Sequence, residues 1–173
     1  MQIADLPGRY FGFDRANAAA LAHKAAMRDA ISLIALSGTS YLPNTEIAEE
    51  LGAQIMDRTT SFSIHARRAL EIYDIRGIEI EGGRWRFIAR PQDYNEERSL
   101  FQATNIILHA RKLRTFIMQR DTEIFNDAGH EWVVTHIEAE SDRNETKHIS
   151  PWGMAYSYLN AVAGHVAEMN ARV

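Results

Sequence analysis

Residues 78–81 and 84–87 flank the pair Gly82-Gly83, and this short stretch constrains the chain more tightly than any other. Ile78, Ile80, Trp85 and Phe87 occupy one face of an alternating pattern, with Glu79, Glu81, Arg84 and Arg86 on the other. Two consecutive glycines suit the positive φ angles of a type I′ turn. The register such a turn imposes sets Glu81 opposite Arg84, Ile80 opposite Trp85, Glu79 opposite Arg86 and Ile78 opposite Phe87. Every cross-strand pair is then favourable, each worth about 0.2–1 kcal/mol. A β-hairpin is predicted over 78–88.

Helical patterns surround it. Asp14 caps a predicted helix running to about Leu36, alanine-rich in its first half and stopped at Ser37-Gly38 by a left-handed glycine. Pro43-Asn44-Thr45 leads into a short helix over 46–51, with a Thr or Asn cap and Gly52 as terminator. A third helix is expected from about Thr59 to Ser61 through Ile75, closed by Arg76-Gly77. The stretch Arg90-Pro91-Gln92-Asp93 marks a seam between residues 1–92 and 93–173. Beyond it, Leu100, Ala103, Ile106, Ala110, Leu113, Ile117 and Ile124 form a stripe that predicts one long helix over 95–124. A strand with imperfect alternation follows at 131–139, then a polar loop at 142–147. Ser150-Pro151 opens a last helix whose Trp152, Leu159 and Val166 recur every seven residues, with Ala155, Val162 and Met169 between them. The expected fold is mainly α with a small β hairpin, the second half being a helical accessory region with one or two strands.

Composition narrows the chemistry. The chain has no cysteine among its 173 residues, which excludes disulfide scaffolds, thiolate zinc sites, iron–sulfur clusters and thiol catalysis. No apolar run approaches the ~20 residues needed to span a bilayer, and the opening residues carry no export signal, so a soluble, cytoplasmic protein is expected without membrane contact. The formal charge of −4 is uneven: residues 121–145 carry eight acids against one arginine. Within that segment Asp121, Glu123, Asp127, His130, Glu131, His136, Glu138 and Glu140 cluster in sequence. There is no His-Glu-x-x-His pair, however, and His136 and Glu138 are two apart on a strand, so a solvated acidic face is expected and no metal. His23, His109 and His165 read as surface or packing residues. There is no glycine-rich phosphate loop and no nucleophile motif, hence no enzyme signature and no cofactor.

The order helix, short capped helix, helix, Gly-Gly hairpin over residues 23–90 resembles the winged helix-turn-helix superfamily. Thr45-Glu46-Ile47-Ala48-Glu49-Glu50-Leu51-Gly52 is similar to its first motif helix and turn glycine. Ala66-Arg67-Arg68-Ala69-Leu70-Glu71-Ile72 with Gly77-Ile78 is similar to the end of a recognition helix, and Gly82-Gly83-Arg84-Trp85 to a wing tip. The turn is longer than usual by about eight residues, beginning at Ala53. Domains of this type read duplex DNA with the N-terminal part of the recognition helix in the major groove. Here Thr59, Thr60, Ser61 and Ser63 would supply short donors to phosphate, His65, Arg67 and Arg68 would reach bases or backbone, and Thr45, Arg58 and Arg84 would contact the backbone.

The function expected on this basis is sequence-specific double-stranded DNA binding by a transcriptional regulator. The protein would act as a homodimer through Trp152, Leu159, Val162 and Val166; the rival reading packs this seam against the 95–124 helix within one subunit. The alternatives are a winged-helix protein–protein interaction module, whose partner would meet the acidic 121–145 segment, and a DNA-binding protein of replication or mobile elements.

Overall fold

The computed structural model describes residues 15–81, 94–121, 129–141 and 145–170. It is mainly helical, with a small antiparallel sheet. In chain order the elements are α1 (Arg15–Ser37), β1 (Ser40–Tyr41), α2 (Thr45–Ile72), α3 (Leu100–Leu108), β2 (Lys112–Asp121), β3 (His130–Glu140), β4 (Lys147–Ile149), α4 (Pro151–Ser157), a π-helical stretch (Tyr158–Val162) and α5 (Ala163–Asn170).

α1 ends as its sequence suggests, but Gly38 serves by its size and takes no positive φ. A Cβ there would lie 2.6 Å from the Ile34 carbonyl oxygen and 3.3 Å from the Trp152 ring. The expected cap Asp14 lies outside the described residues. Along α1 the buried Ala19, Ala22, Ala26 and Ala30 leave room for close approach, and the cluster that the last three join includes Phe62, Ala66 and Ala69 of α2.

The two helices expected on either side of Gly52 are a single rod, α2, capped by the Asn44 side chain, which accepts from the Ile47 N–H at 3.1 Å. There is no turn at Gly52, and therefore no helix-turn-helix at this point. The reason lies in the apolar spacing: Leu51, Ile55, Thr59, Phe62, Ala66 and Leu70 are all buried, a stripe continuous through the expected break. A glycine inside a helix costs about 1 kcal/mol relative to alanine. Gly52 faces β2, where the Thr115 hydroxyl donates to its carbonyl at 3.2 Å. The end of α2 is also earlier than expected, with Asp74 rather than Gly77 taking the left-handed conformation at φ 53°.

The long helix expected over 95–124 is likewise replaced. Ser99 caps the nine-residue α3 by accepting from the Gln102 N–H, and the chain then extends into β2. Leu113 and Ile117 are four apart, a spacing that satisfies both the helical and the strand period. Thr115 and Ile117, β-branched and facing the core side, favour the strand. The second half therefore contributes three of the four strands, more than expected.

The turn expected at Gly82-Gly83 and the strand expected after it lie outside the described residues. Before them the expected alternation holds: Ile80 is buried, Ile78 half-buried, and Glu79 and Glu81 exposed. This arm pairs with residues 98–100, through Ile80 N–H to the Arg98 carbonyl (2.6 Å) and Leu100 N–H to the Ile78 carbonyl (3.0 Å).

Ser150 caps α4 as its sequence implies, accepting from the Gly153 N–H at 3.0 Å. Of the residues expected at a dimer seam, Val162 and Val166 are buried in the chain's own core, with Leu159 packed against it, alongside Ala22, Ala26 and Leu33 of α1. Those side chains already have their apolar partners within one subunit. The same cluster draws on residues from both sides of the 92/93 seam.

Candidate metal centre

β3 is the middle strand. β2 runs along one edge, while β4 and β1 pair with opposite ends of the other. Phe116 pairs with His136 and Ile117 with Val134, so Thr135 is the extra residue of a β-bulge. A bulge shifts the alternation by one. Val134 before it and Ile137 after it both face α2, where they pack with Leu51 and Ile55. His136 and Glu138 consequently share the opposite face, which accounts for the imperfect alternation of this segment.

On that face the registers Arg114–Glu138 and Glu138–His148 align one residue from each of β2, β3 and β4. His136 and His148 are each 3% exposed. Glu138 Oε1 lies 4.0 Å from His136 Nε2 and 3.9 Å from His148 Nε2. All three ligand atoms fall within 4.8 Å of one another. The other carboxylate oxygen, Oε2, accepts from Arg114 Nε at 3.0 Å. Aromatic rings wall the cluster: Phe116 stacks on His136 at 4.8 Å, and Tyr94 stacks on His148 at 4.6 Å while meeting His136 edge-on at 5.3 Å.

Each ligand is oriented from behind. The Thr135 hydroxyl lies 3.3 Å from the Phe116 carbonyl it donates to and 2.9 Å from His136 Nδ1. With its proton directed at that carbonyl, Thr135 accepts from His136 Nδ1–H, and the neutral ring keeps its lone pair on Nε2. His148 Nδ1 accepts from the Asn95 backbone N–H at 2.9 Å. Two imidazoles and a carboxylate suit a borderline divalent ion such as zinc, whose bonds to N and O are about 2.0–2.2 Å. Tetrahedral ligation at that length sets donor atoms about 3.4 Å apart, so the 3.9 and 4.0 Å separations must contract by about half an ångström and the widest, up to 4.8 Å, by up to about 1.4 Å.

This centre was not apparent from the sequence. His136 and Glu138 were expected on a solvated face, and His148 was not connected with them. The signal that finds it is the short stretch Lys147-His148-Ile149 after the polar loop, which pairs back on β3 and brings His148 beside Glu138. The solvated-face expectation also fails at Glu131, which is fully buried and paired with Arg120.

The residues expected to meet DNA are distributed differently. Thr59 and Ser63 are fully buried. The Ser61 hydroxyl donates to Asp29 of α1 at 2.8 Å, His65 Nδ1 lies 3.0 Å from the same oxygen, and Arg58 stands 3.8 Å from the other one. Thr60 bonds back to the Met56 carbonyl. Arg67 is held by Glu71 and by the Phe101 carbonyl, with its guanidinium 3.5 Å above the Phe101 ring. Thr45 and Arg68 are exposed at opposite ends of α2, and Arg84 lies outside the described residues.

His23 packs as expected, 3.0 Å from the Tyr158 hydroxyl, and burial lowers its pKa below the usual 6.5. Burial likewise raises the Tyr158 phenol well above its ordinary value, with a smaller contribution from Tyr73. His109 and His165 are exposed. No helix among the described residues is long and apolar enough to cross a membrane.

No family model matches the chain, and no curated protein or solved structure matches it either.

Proposed function

We propose that this chain is a metal-binding protein that holds a divalent transition-metal ion with His136, Glu138 and His148. The observation that carries the reading is the convergence of two imidazole nitrogens and a carboxylate oxygen within 4.8 Å, on adjacent strands and largely shielded from water. Burying three such groups together costs stability unless they are partnered, and a dication partners all of them at once. Three protein ligands leave at least one coordination position for water or a small molecule, the arrangement of metal sites that do chemistry.

The geometry favours this over duplex-DNA recognition. Ser61, His65 and Arg58 turn toward Asp29, and Arg67 is engaged by Glu71 and Phe101, so four of the ten expected contacts have acidic or aromatic cover, and Thr59 and Ser63 are buried as well.

Titration calorimetry with Zn²⁺, together with the visible absorption of added Co²⁺, tests the reading. The expected result is about one ion per chain, with affinity weakened at least about tenfold in His136→Ala and in Glu138→Gln. The absence of heat and of a cobalt band up to millimolar metal would overturn it. Salt-dependent binding to random duplex DNA that becomes shallower in Arg68→Ala would put the regulator reading ahead.

A further inference from the structure

We infer that a metal ion bound through all three ligands unlatches the segment 94–97 from β4. This rests on the metal reading above and adds a conformational consequence to it.

The segment is held to β4 at several points. His148 N–H donates to the Asn95 carbonyl at 2.8 Å, and Glu97 N–H donates to the His148 carbonyl at 3.0 Å. Lys147 Nζ donates to Asn95 Oδ1 at 2.9 Å, and the Tyr94 ring stacks on the His148 ring. One further bond involves the ligand itself: the Asn95 N–H donates to His148 Nδ1 at 2.9 Å.

That last bond fixes the tautomer. A neutral imidazole has one N–H and one lone pair. Since Nδ1 accepts from Asn95, the proton of His148 is on Nε2, the atom facing Glu138 Oε1. An ion needs the lone pair there, so ligation moves the proton to Nδ1. The Asn95 N–H then confronts another N–H at a distance suited only to a donor and an acceptor, and it must withdraw. His136 does not share this conflict, because its Nδ1–H already points at the Thr135 oxygen. The two histidines are thus unequal: His136 is set for the ion, whereas His148 becomes a ligand only by releasing a piece of neighbouring backbone.

The test combines a direct observation with a variant. Long-range ¹H–¹⁵N spectra of His148 and hydrogen exchange of the Asn95 amide are recorded on the full chain, with and without Zn²⁺. We expect the His148 proton to move from Nε2 to Nδ1 and the Asn95 amide to exchange about tenfold faster, as one net hydrogen bond lost implies. Asn95→Pro removes the opposing N–H and should bind Zn²⁺ about tenfold more tightly than Asn95→Ala, which keeps it. Zinc bound with the His148 proton still on Nε2 overturns the unlatching and leaves a centre of His136 and Glu138. Equal zinc affinity of the two variants, each folded by circular dichroism, overturns it also. If Asn95→Pro does not fold, the spectra of the parent decide. Absence of zinc binding by the parent is the separate failure of the metal reading, visible in the titration before any spectrum is taken.

Discussion

On the side of the sheet facing α2, Val134 and Ile137 meet Leu51 and Ile55, with Leu113 and Ile117 of β2 packed against them. On the other side the same strands present Arg114, Phe116, His136 and Glu138, joined by His148 from β4. One side excludes water with hydrocarbon and asks for nothing more. The other buries two imidazoles and half-buries a carboxylate, groups whose lone pairs can ligate an ion. A single extra residue, Thr135, separates the two arrangements, because it lets Val134 and Ile137 share a face while His136 and Glu138 take the opposite one. The chemistry of the site is therefore set by backbone count as much as by side-chain type.

Inserting one alanine between Ile137 and Glu138 is the harshest way to break this contrast. With Ile137 kept in place, plain alternation turns Glu138 away from His136 and into the buried position that Ala139 now fills in the apolar core. Burying an unpaired carboxylate among aliphatic side chains costs several kcal/mol, comparable with the ~5–15 kcal/mol that holds a typical domain together. The expected outcome is loss of the cooperative thermal transition, measured by circular dichroism. Thr135→Ala keeps the residue count and should unfold cooperatively. It loses the hydroxyl that accepts from His136 Nδ1 and donates to the Phe116 carbonyl, which should weaken zinc binding by about tenfold.

A milder cut separates the two faces by what each supplies. Ile137 is fully buried on the α2 side. Ile137→Ala should cost about 2–5 kcal/mol in urea denaturation, through lost transfer energy and the cavity left behind. Zinc affinity per folded molecule should stay within about threefold of the parent, since no ligand atom is altered. Glu138→Gln should show the reverse pattern, with stability little changed and metal binding impaired. If both substitutions damage both properties equally, the division of labour between the faces is wrong.

The same contrast explains what was legible in the sequence. Caps could be read from short local patterns: Asn44, within the Thr-or-Asn expectation, and Ser150 before Pro151 each accept from a backbone N–H three residues on. The termination of α1 at Gly38 was also legible, although the glycine acts by size there and not by φ. Longer inferences failed where one pattern satisfied two periods. Leu113 and Ile117 fit a helix and a strand alike, and the decision came from a partner strand that a local pattern does not contain. Gly52 looked like punctuation because its tertiary neighbour, Thr115, is 63 residues away. The centre was harder still. His136 and Glu138, two apart on a strand, share a face by alternation alone, but which face they take depends on a bulge, and His148 reaches them only through the pairing of β4 with β3. Local propensity carries the helix ends, whereas the site is made by register.

The smallest expected effect concerns a histidine in the helical layer, and it sharpens the comparison by contrast with the pair on the sheet. His23 is held against Tyr158, and burial disfavours its charged form, so its folded pKa lies below the unfolded value of 6.5. The unfolded chain then binds more protons at this position as pH falls through 6.5 toward the lowered folded value. Its contribution to stability is intact above 6.5, declines through that window, and levels off once both states are protonated. The slope must be well under the ~1.4 kcal/mol per pH unit that a whole proton would give, because His23 is only part-buried. His23→Gln can still hydrogen-bond Tyr158 but does not titrate. Urea denaturation at pH 7.5, 6.5 and 5.5 should therefore give a parent-minus-variant difference that moves against the parent as the pH is lowered. The comparison is made without metal, so that ligand protonation on the sheet is common to both proteins and cancels. A difference that stays flat across this range would mean that His23 gains as much from the Tyr158 oxygen when charged as it loses to burial.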